Sequence, residues 1–508
     1  MIETRRLIIY LITTLAALAA TVAVCQAAPG GSGFFGGISE GGRLAKTTAP
    51  AEEKKNAAVI SAYKEIIFLD GEPRSFSGLL TVKPSGGVTS AASGTYKITY
   101  TVAADGDDDA NISRSLVLTV NWRREGSQVI RGFTVSSWKE TATAGDKTYT
   151  VMPKLSHFDV SSLTDETPGV DYWKADVSAR IVYRSGSEDS TVDMSGSYYG
   201  YDCAWSSAEA GRLSCRLQGP AAAISYQLRP SVSSSKKIDW SANEPRAISF
   251  AGNYRELFSG VSSLRYTLLD KPAALFALPN EGGVNIDVYS EFEQLPAPDL
   301  SFLTGHAAES DISKLFALGV LDGDPKHYVP SQAITRALYT TMLVKAIKLP
   351  VEQPAAKTSA RAKKSPADQP VFPDVTLERP DYPYIMAAYK AGLAVGRGSG
   401  RFYADYAISR EEAIAIAVRA LGLSGVAPAS APLTPFADDA DISDWAKREI
   451  YAAYRIGLTA PDADGRLNPA ASLTKAEAAA LVGAMIDYMR GALAEDYGER
   501  IVSYTERL

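Results

Sequence analysis

Phe372-Pro373-Asp374 opens the stretch that decides the fold, and this stretch runs to Leu423. Behind it, Ile385, Ala388, Tyr389 and Gly392 are spaced i, i+3, i+4, i+7, which places them on one stripe of a helix. After a polar turn comes Ser409-Arg410-Glu411-Glu412, and then Ile416, Ala417, Ala420 and Leu421 form a second stripe. Ser409 reads as an N-cap, with Glu412 three residues on closing a capping box. The unit is helix, loop, capped helix.

The same frame recurs on both sides. Downstream, Phe436-Ala437-Asp438 leads to Ile450, Ala453, Tyr454 and Gly457, and Thr474-Lys475-Ala476-Glu477 then caps Leu481, Val482, Met485 and Ile486. Upstream, Ile312, Leu315, Phe316 and Gly319 precede Thr335-Arg336-Ala337-Leu338 and then Met342, Leu343, Ala346 and Ile347. The glycine lies 16, 17 and 17 positions before the cap in the three copies. Agreement of three registers identifies an internal repeat.

On these residues the units resemble S-layer homology (SLH) repeats. The matching segments are GHAAESDI (305–312), FPDV (372–375), ISREE (408–412), FADD (436–439), DWAKREI (444–450) and LTKAE (473–477). The first copy departs from the pattern, with Thr304 for the aspartate, Ala307 for the tryptophan and Leu338 for the glutamate. The resemblance implies an all-α, three-fold pseudo-symmetric bundle. Its grooves would bind an anionic, pyruvylated secondary cell-wall polysaccharide, with S-layer neighbours as further partners.

It also implies site residues. Arg336, Arg410 and Lys475 would face the anionic groups, Gly319, Gly392 and Gly457 would let the chain turn close to a sugar, and Trp445 would stack on a sugar face or serve as a core aromatic. The caps Thr335, Ser409, Thr474, Glu412 and Glu477 are structural first, and Asp374 and Asp438 fix local loops. A cation at the first position of a helix gains nothing from the helix dipole. Its recurrence in all three copies makes sense if an anion docks on the N–H groups there.

Upstream of the repeats the period changes to two. Tyr96, Ile98, Tyr100 and Val102 alternate with polar residues, as do Leu116, Leu118, Val120 and Trp122. The run Trp173, Ala175, Val177, Ala179, Ile181 and Tyr183 repeats the pattern, and Val284, Ile286 and Val288 look like a last strand. Such alternation, broken by Gly, Ser and Asp turns, predicts an antiparallel all-β region, sandwich or barrel-like. The expected organisation is therefore multidomain. It comprises a signal peptide (1–27), a flexible Gly-rich linker (28–56) and a β-rich ectodomain (57–294) with a possible break near Gly219-Pro220. The first repeat (300–350), a Pro- and Lys-rich linker (351–370), the second (371–424) and third (435–490) repeats and a helical tail (491–508) follow. Leu295-Pro-Ala-Pro-Asp299 reads as the hinge between the two halves.

The first residues bear on compartment. Arg5-Arg6, then an uncharged apolar run from Leu7 to Val24, then Cys25-Gln26-Ala27 read as a secretory signal, with retention as a membrane anchor the other reading. Beyond Cys25 the chain holds only Cys203 and Cys215. In an exported protein these are expected to form one local disulfide, two free thiols being the alternative.

Hydrophobic residues make up 46% of the 508 residues and charged ones 22%, the proportions of a globular chain. The net charge of −6 argues against nucleic acid as the main partner. No metal site or cofactor is expected. Asp105-Gly106-Asp107-Asp108-Asp109 lacks the glycine and glutamate of a calcium loop and reads as a hairpin turn. None of the three histidines, His157, His306 and His327, sits in a nucleophile motif. The reading is an exported cell-surface protein, extracellular and wall-bound, that displays a structural or binding β region. The alternative is an anchored enzyme acting on polysaccharide or peptidoglycan.

Overall fold

The computed structural model describes residues 36–39, 58–106, 110–220, 222–241, 253–270, 279–296, 298–352, 371–397, 400–430 and 432–497. The expected signal peptide, most of the 28–56 linker, residues 353–370, Asp107–Asp109 and the tail beyond 497 lie outside the described residues.

Among the described residues, fourteen strands form one antiparallel sheet. They are β1 (Ile38–Ser39), β2 (Val59–Ile67), β3 (Arg74–Pro84), β4 (Ser93–Gly106), β5 (Asn111–Glu125), β6 (Gln128–Ala144) and β7 (Lys147–Val151). The rest are β8 (His157–Glu166), β9 (Val170–Ser185), β10 (Glu188–Cys203), β11 (Ser206–Gln218), β12 (Ala223–Ser241), β13 (Asn253–Asp270) and β14 (Glu281–Leu295). Neighbours in sequence are neighbours in the sheet, except that β7 and β8 share the place between β6 and β9. The sheet rolls until β14 lies beside β2, so its course is barrel-like. The alternating residues point inward as expected. Ile98, Val102, Leu116, Val120, Trp122 and the Trp173-to-Tyr183 run are all buried.

Arg114 occupies one of those inward positions, two residues before Leu116, and is 1% exposed. Its guanidinium bridges two carboxylates, donating to Glu140 at 2.7 and 2.9 Å and to Glu65 at 3.0 and 3.1 Å. Tyr63, Trp138 and Tyr183 donate to the same carboxylates. Burial raises the Glu65 carboxyl above its ordinary value, with Arg114 opposing. At Glu140 burial pulls the same way, but Arg114 and the Trp138 and Tyr183 donors outweigh it and hold the group ionised. A buried pair is costly to break because the survivor stays unpaired.

Two expectations for this region are corrected. Gly219-Pro220 marks no domain break. It lies in the turn between β11 and β12, which pair from Ala223 against Gln218. Cys203 and Cys215 are both free and buried. Cys203 ends β10, whereas Cys215 lies opposite Met194. At about 3.3 Å per residue that separates them by roughly 30 Å along the strands, far beyond the reach of a disulfide. Separately, Gly36–Ser39, within the expected flexible linker, are buried, and Ile38 is 0% exposed.

The repeats supply six principal helices: α1 (Glu309–Ala317), α2 (Arg336–Ala346), α3 (Tyr382–Lys390), α4 (Arg410–Ala420), α5 (Lys447–Arg455) and α6 (Lys475–Arg490). A short helix, Ala492–Asp496, begins the expected tail. The first helix of each repeat packs on the second helix of another: α3 on α2, α5 on α4, and α1 back on α6. The repeats therefore close on themselves.

The second helices end on the β region, and their last carbonyls find donors there. Trp205 Nε1, in the β10–β11 turn, donates to Ala346 O at 2.7 Å. Gly169 N donates to Ala420 O at 2.7 Å and Tyr172 OH to Leu421 O at 2.9 Å. Ser206 Oγ donates to Met489 O. Carbonyls in the last helical turn lack partners within the helix, so these contacts satisfy what would otherwise be orphaned acceptors. Val170, Tyr201, Cys203, Ala204 and Trp205 belong to the same apolar core as the helices. The stretch around Leu295–Asp299 thus joins two packed bodies.

Two outcomes follow from these contacts. Arg114→Met alone is expected to cost about 3–5 kcal/mol in urea unfolding, and adding Glu65→Leu and Glu140→Leu to recover most of the loss. Trp205→Ala is expected to remove about 3–5 kcal/mol and to split a single urea transition into separate strand and helix transitions by circular dichroism.

Candidate functional site

The starts of the second helices form a ring. Thr335 Oγ accepts from Leu338 N at 3.2 Å. Ser409 and Glu412 close a full capping box, as do Thr474 and Glu477. The first repeat has no box because Leu338 carries no carboxylate. The caps expected from the sequence are in place.

The next two N–H groups of each helix are occupied, and this corrects the expectation that they lie open to an anion. Arg336 N and Ala337 N donate to Tyr406 O and Ala404 O of the second repeat, at 2.8 and 3.0 Å. Arg410 N and Glu411 N donate to Ala471 O and Pro469 O of the third, at 2.9 and 3.0 Å. Lys475 N and Ala476 N donate to Gln332 O and Pro330 O of the first, at 2.8 and 3.0 Å. Each helix start is plugged into the loop of the following repeat, and the third plugs into the first.

The side chains of the three cations follow the same rotation. Arg336 lies 3.2 Å from Glu412, donates to Val395 O at 3.0 Å and faces the Phe402 ring at 5.1 Å. It is 4% exposed, so it holds the repeats together from inside. Burial lowers its pKa, with Glu412 opposing. Arg397 also bonds Glu412, at 2.7 Å through Nε. Arg410 donates to Glu477 at 2.7 Å. Lys475 would meet the equivalent acid at position 338, but Leu338 stands there. Among the described residues Lys475 makes no ion pair. Its ammonium lies 5.6 Å from the centre of the Tyr328 ring, whose hydroxyl donates to Lys475 O.

Gly319, Gly392 and Gly457 each follow the first helix of a repeat with φ of 66°, 74° and 75°. Glycine is favoured there by the left-handed turn that ends the helix. A Cβ would meet nothing within 4 Å, so close approach to a neighbour within the chain is not the reason. Trp445 is 49% exposed and faces the Arg419 guanidinium at 5.8 Å. Arg419 sits in the last turn of α4, about 14 Å of helix rise from Arg410, so Trp445 and the cation ring are not brought together.

Asp374 accepts from Phe402 N and Tyr403 N at 2.9 and 2.6 Å, and Asp438 from Leu467 N and Asn468 N at 2.8 and 2.7 Å. Tyr403 and Asn468 are themselves left-handed, with φ of 60° and 57°. The aspartates are therefore loop clamps, as expected. Burial raises each carboxyl, but the backbone donors outweigh it and hold both below the usual range. The partners Glu412 and Arg397 were missed as a pair in the sequence, because nothing in their spacing reports a contact.

A family model for the S-layer homology domain matches residues 303–337, 371–414 and 435–479. The C-terminal part of this chain carries three SLH domains. The SLH segment is similar to parts of much longer proteins. Exoglucanase XynX of Acetivibrio thermocellus is 32% identical over 161 residues, which cover 32% of this chain and 13% of that protein. The surface-layer 125 kDa protein of Lysinibacillus sphaericus is 27% identical over 193 residues, 37% of this chain and 15% of that protein. S-layer protein EA1 of Bacillus anthracis is 28% identical over 179 residues, 35% and 19%. The chain thus spans less than a fifth of the length of each. The exoglucanase and the S-layer proteins share the SLH segment with this chain, and not the β region.

The ring responds to acid in a defined direction. In both Glu412 and Glu477 burial raises the carboxyl, but the donors around it outweigh this and leave it below its ordinary value of 4.5. A lowered folded value means stability that is present above about pH 4.5 and lost as pH falls through the folded values. The melting temperature of the whole chain should therefore drop on acidification below about pH 4.5, and Glu412→Gln with Glu477→Gln should flatten that drop.

Proposed function

We propose that this chain is an exported cell-surface protein, held non-covalently on an anionic secondary cell-wall polysaccharide by its SLH domains and displaying the β region outward. Export would use the apolar segment Leu7–Val24. The closed rotation of helix contacts supports a three-fold pseudo-symmetric arrangement of the repeats. Pyruvylated sugars fit as ligands, because each carries a compact carboxylate that a single ammonium can neutralise.

The observation that carries the reading is the cation left without an acid. Arg336 and Arg410 each have the capping-box glutamate of the next repeat as a partner, which Arg336 shares with Arg397. Lys475 has none among the described residues, and it is half-buried beside an aromatic face. A carboxylate arriving there would gain an ion pair without displacing one already made. The groove between the third and first repeats is therefore the preferred site, and Leu338, a departure from the family pattern, is what keeps it open. SLH segments occur alike in an exoglucanase and in S-layer proteins, which supports an anchoring role separate from whatever each protein displays.

Retention of the full chain on purified cell-wall sacculi tests this. Lys475→Ala should reduce retention at least tenfold with the melting temperature little changed. Leu338→Glu should reduce it similarly while raising the melting temperature, because it supplies the missing ring pair. Arg410→Ala should lower the melting temperature and leave most retention. Full retention by Lys475→Ala would remove the proposed groove.

A further inference from the structure

We propose that the outward face of β11, β12 and β13 binds a linear acidic polysaccharide along a row of three arginines, Arg212, Arg229 and Arg265. Strand register sets the row. Arg229 of β12 lies opposite Arg265 of β13, and Arg212 of β11 lies opposite Ser197 of β10. The β11–β12 ladder pairs Ala210 with Ser231 and Leu213 with Leu228, so the same count puts Arg212 opposite Arg229. Leu213, Leu228 and Leu264 are buried, which turns the arginine beside each of them outward, and all three arginines are exposed. With strands about 4.8 Å apart, the row carries three positive charges within roughly 10 Å.

By itself this arrangement works against the sheet, because like charges directly opposite across a ladder repel. On β9 and β10 the exposed arginines are paired across the ladder, Arg180 with Asp193 at 2.6 Å and Arg184 with Asp189 at 2.7 Å. Among the described residues Arg212, Arg229 and Arg265 make no ion pair. The acids nearby are engaged elsewhere. Asp193 holds Arg180, Asp176 accepts from Ser197 Oγ at 2.7 Å and lies 3.4 Å from Lys174, and Glu281 accepts from Thr267 at 3.5 Å. Arg229 Nε donates to Gln227 at 2.8 Å, which leaves the rest of its guanidinium without a partner among the described residues. On β14, Gly283 stands opposite Arg265, and a Cβ there would meet Arg265 Cδ at 2.7 Å, so the glycine leaves that side chain room. On a chain of net charge −6, such a local concentration of unpaired cations is completed by an anionic ligand.

The surroundings favour a glycan over other anions. The rows on either side of the arginines carry hydroxyl and amide groups, Ser214, Gln227 and Thr267 on one flank and Ser231 and Ser263 on the other. Such groups bond sugar hydroxyls as donors and as acceptors. Over these three strands the row and both flanks carry no large apolar side chain, whereas binding in a lipid surface depends on buried apolar area. Beyond Ser214, Arg216 also makes no ion pair among the described residues, and it lines a shallow recess of about 560 Å³ with Ser178, Ser195 and Ser214. An open face with evenly spaced cations suits a polymer whose charges repeat, because contacts that are weak singly add along one chain. The site belongs to the β region and does not depend on the Lys475 groove.

Titration of the full-length chain with polygalacturonate, a linear carboxylated glycan, tests this. Neutral dextran, vesicles of equal parts phosphatidylglycerol and phosphatidylcholine, and poly-glutamate are run beside it. Polygalacturonate is expected to bind, more weakly as salt rises, and dextran is not. The triple variant Arg212→Gln, Arg229→Gln, Arg265→Gln is expected to lose about tenfold or more in affinity, and the central Arg229→Gln alone about threefold. The melting temperature of the triple variant should be unchanged or raised, because the repulsion is gone. Lys475→Ala should keep most of the affinity. Absence of polygalacturonate binding, undiminished binding by the triple variant, or loss of binding in Lys475→Ala overturns the proposal. Equal arginine-dependent binding to the vesicles or to poly-glutamate overturns the assignment to a glycan. Sacculus retention is read in parallel and reports the anchoring groove, so either reading can fail while the other stands.

Discussion

Each second helix of the repeats has both of its ends completed by another part of the chain, and the rest of the structure depends on that. At the start, two amide groups reach carbonyls of the following repeat. At the end, the last carbonyls meet Trp205, Gly169, Tyr172 and Ser206 of the β region. A buried helix end without partners is strongly unfavourable. Each repeat is therefore completed by its neighbours, and the set of three by donors from the turns and strand ends of the sheet.

This constraint explains the cations better than the helix dipole does. An arginine at the first helical position is disfavoured by the local field. Yet the neighbour's capping-box glutamate lies within reach, at 3.2 Å from Arg336 and 2.7 Å from Arg410. That glutamate already accepts from its own cap amide, so one carboxylate serves a cap and a repeat boundary together. Conversion of the third acid to Leu338 removes both functions at once. The first helix loses its box, and Lys475 loses its partner. A single side-chain difference thus makes three equivalent boundaries unequal.

What could be read from the chain and what could not divide along sequence separation. Helix stripes, the caps Thr335, Ser409 and Thr474, and the inward strand residues all act within a few positions of themselves, and all were legible; Asp374 and Asp438 clamp loops 28–30 positions on and were legible only through the repeat pattern. The Arg336–Glu412 and Arg410–Glu477 pairs join residues far apart, and no spacing rule reports them. The cysteines misled because compartment argues for a disulfide while strand register, invisible in the sequence, sets Cys203 and Cys215 far apart. Gly36–Ser39 misled for the opposite reason. Glycine signals a linker in solvent, but here it is required by a crowded seat against Tyr63 and Leu228.

The two ends of the second helices also set a direction. α2 and α4 are 11 residues each, so about 16 Å separates their starts from their ends. The starts carry the cation ring and the ends carry the β region. The ring therefore lies on the face turned away from the sheet, and the shared apolar core fixes that orientation instead of leaving it to the Pro-rich stretch before the repeats. The helices and the β region consequently share their stability: a change that loosens the Trp205 turn acts on the helices whose opposite ends carry the cation ring, although among the described residues the contacts of the sheet are with the far ends of those helices.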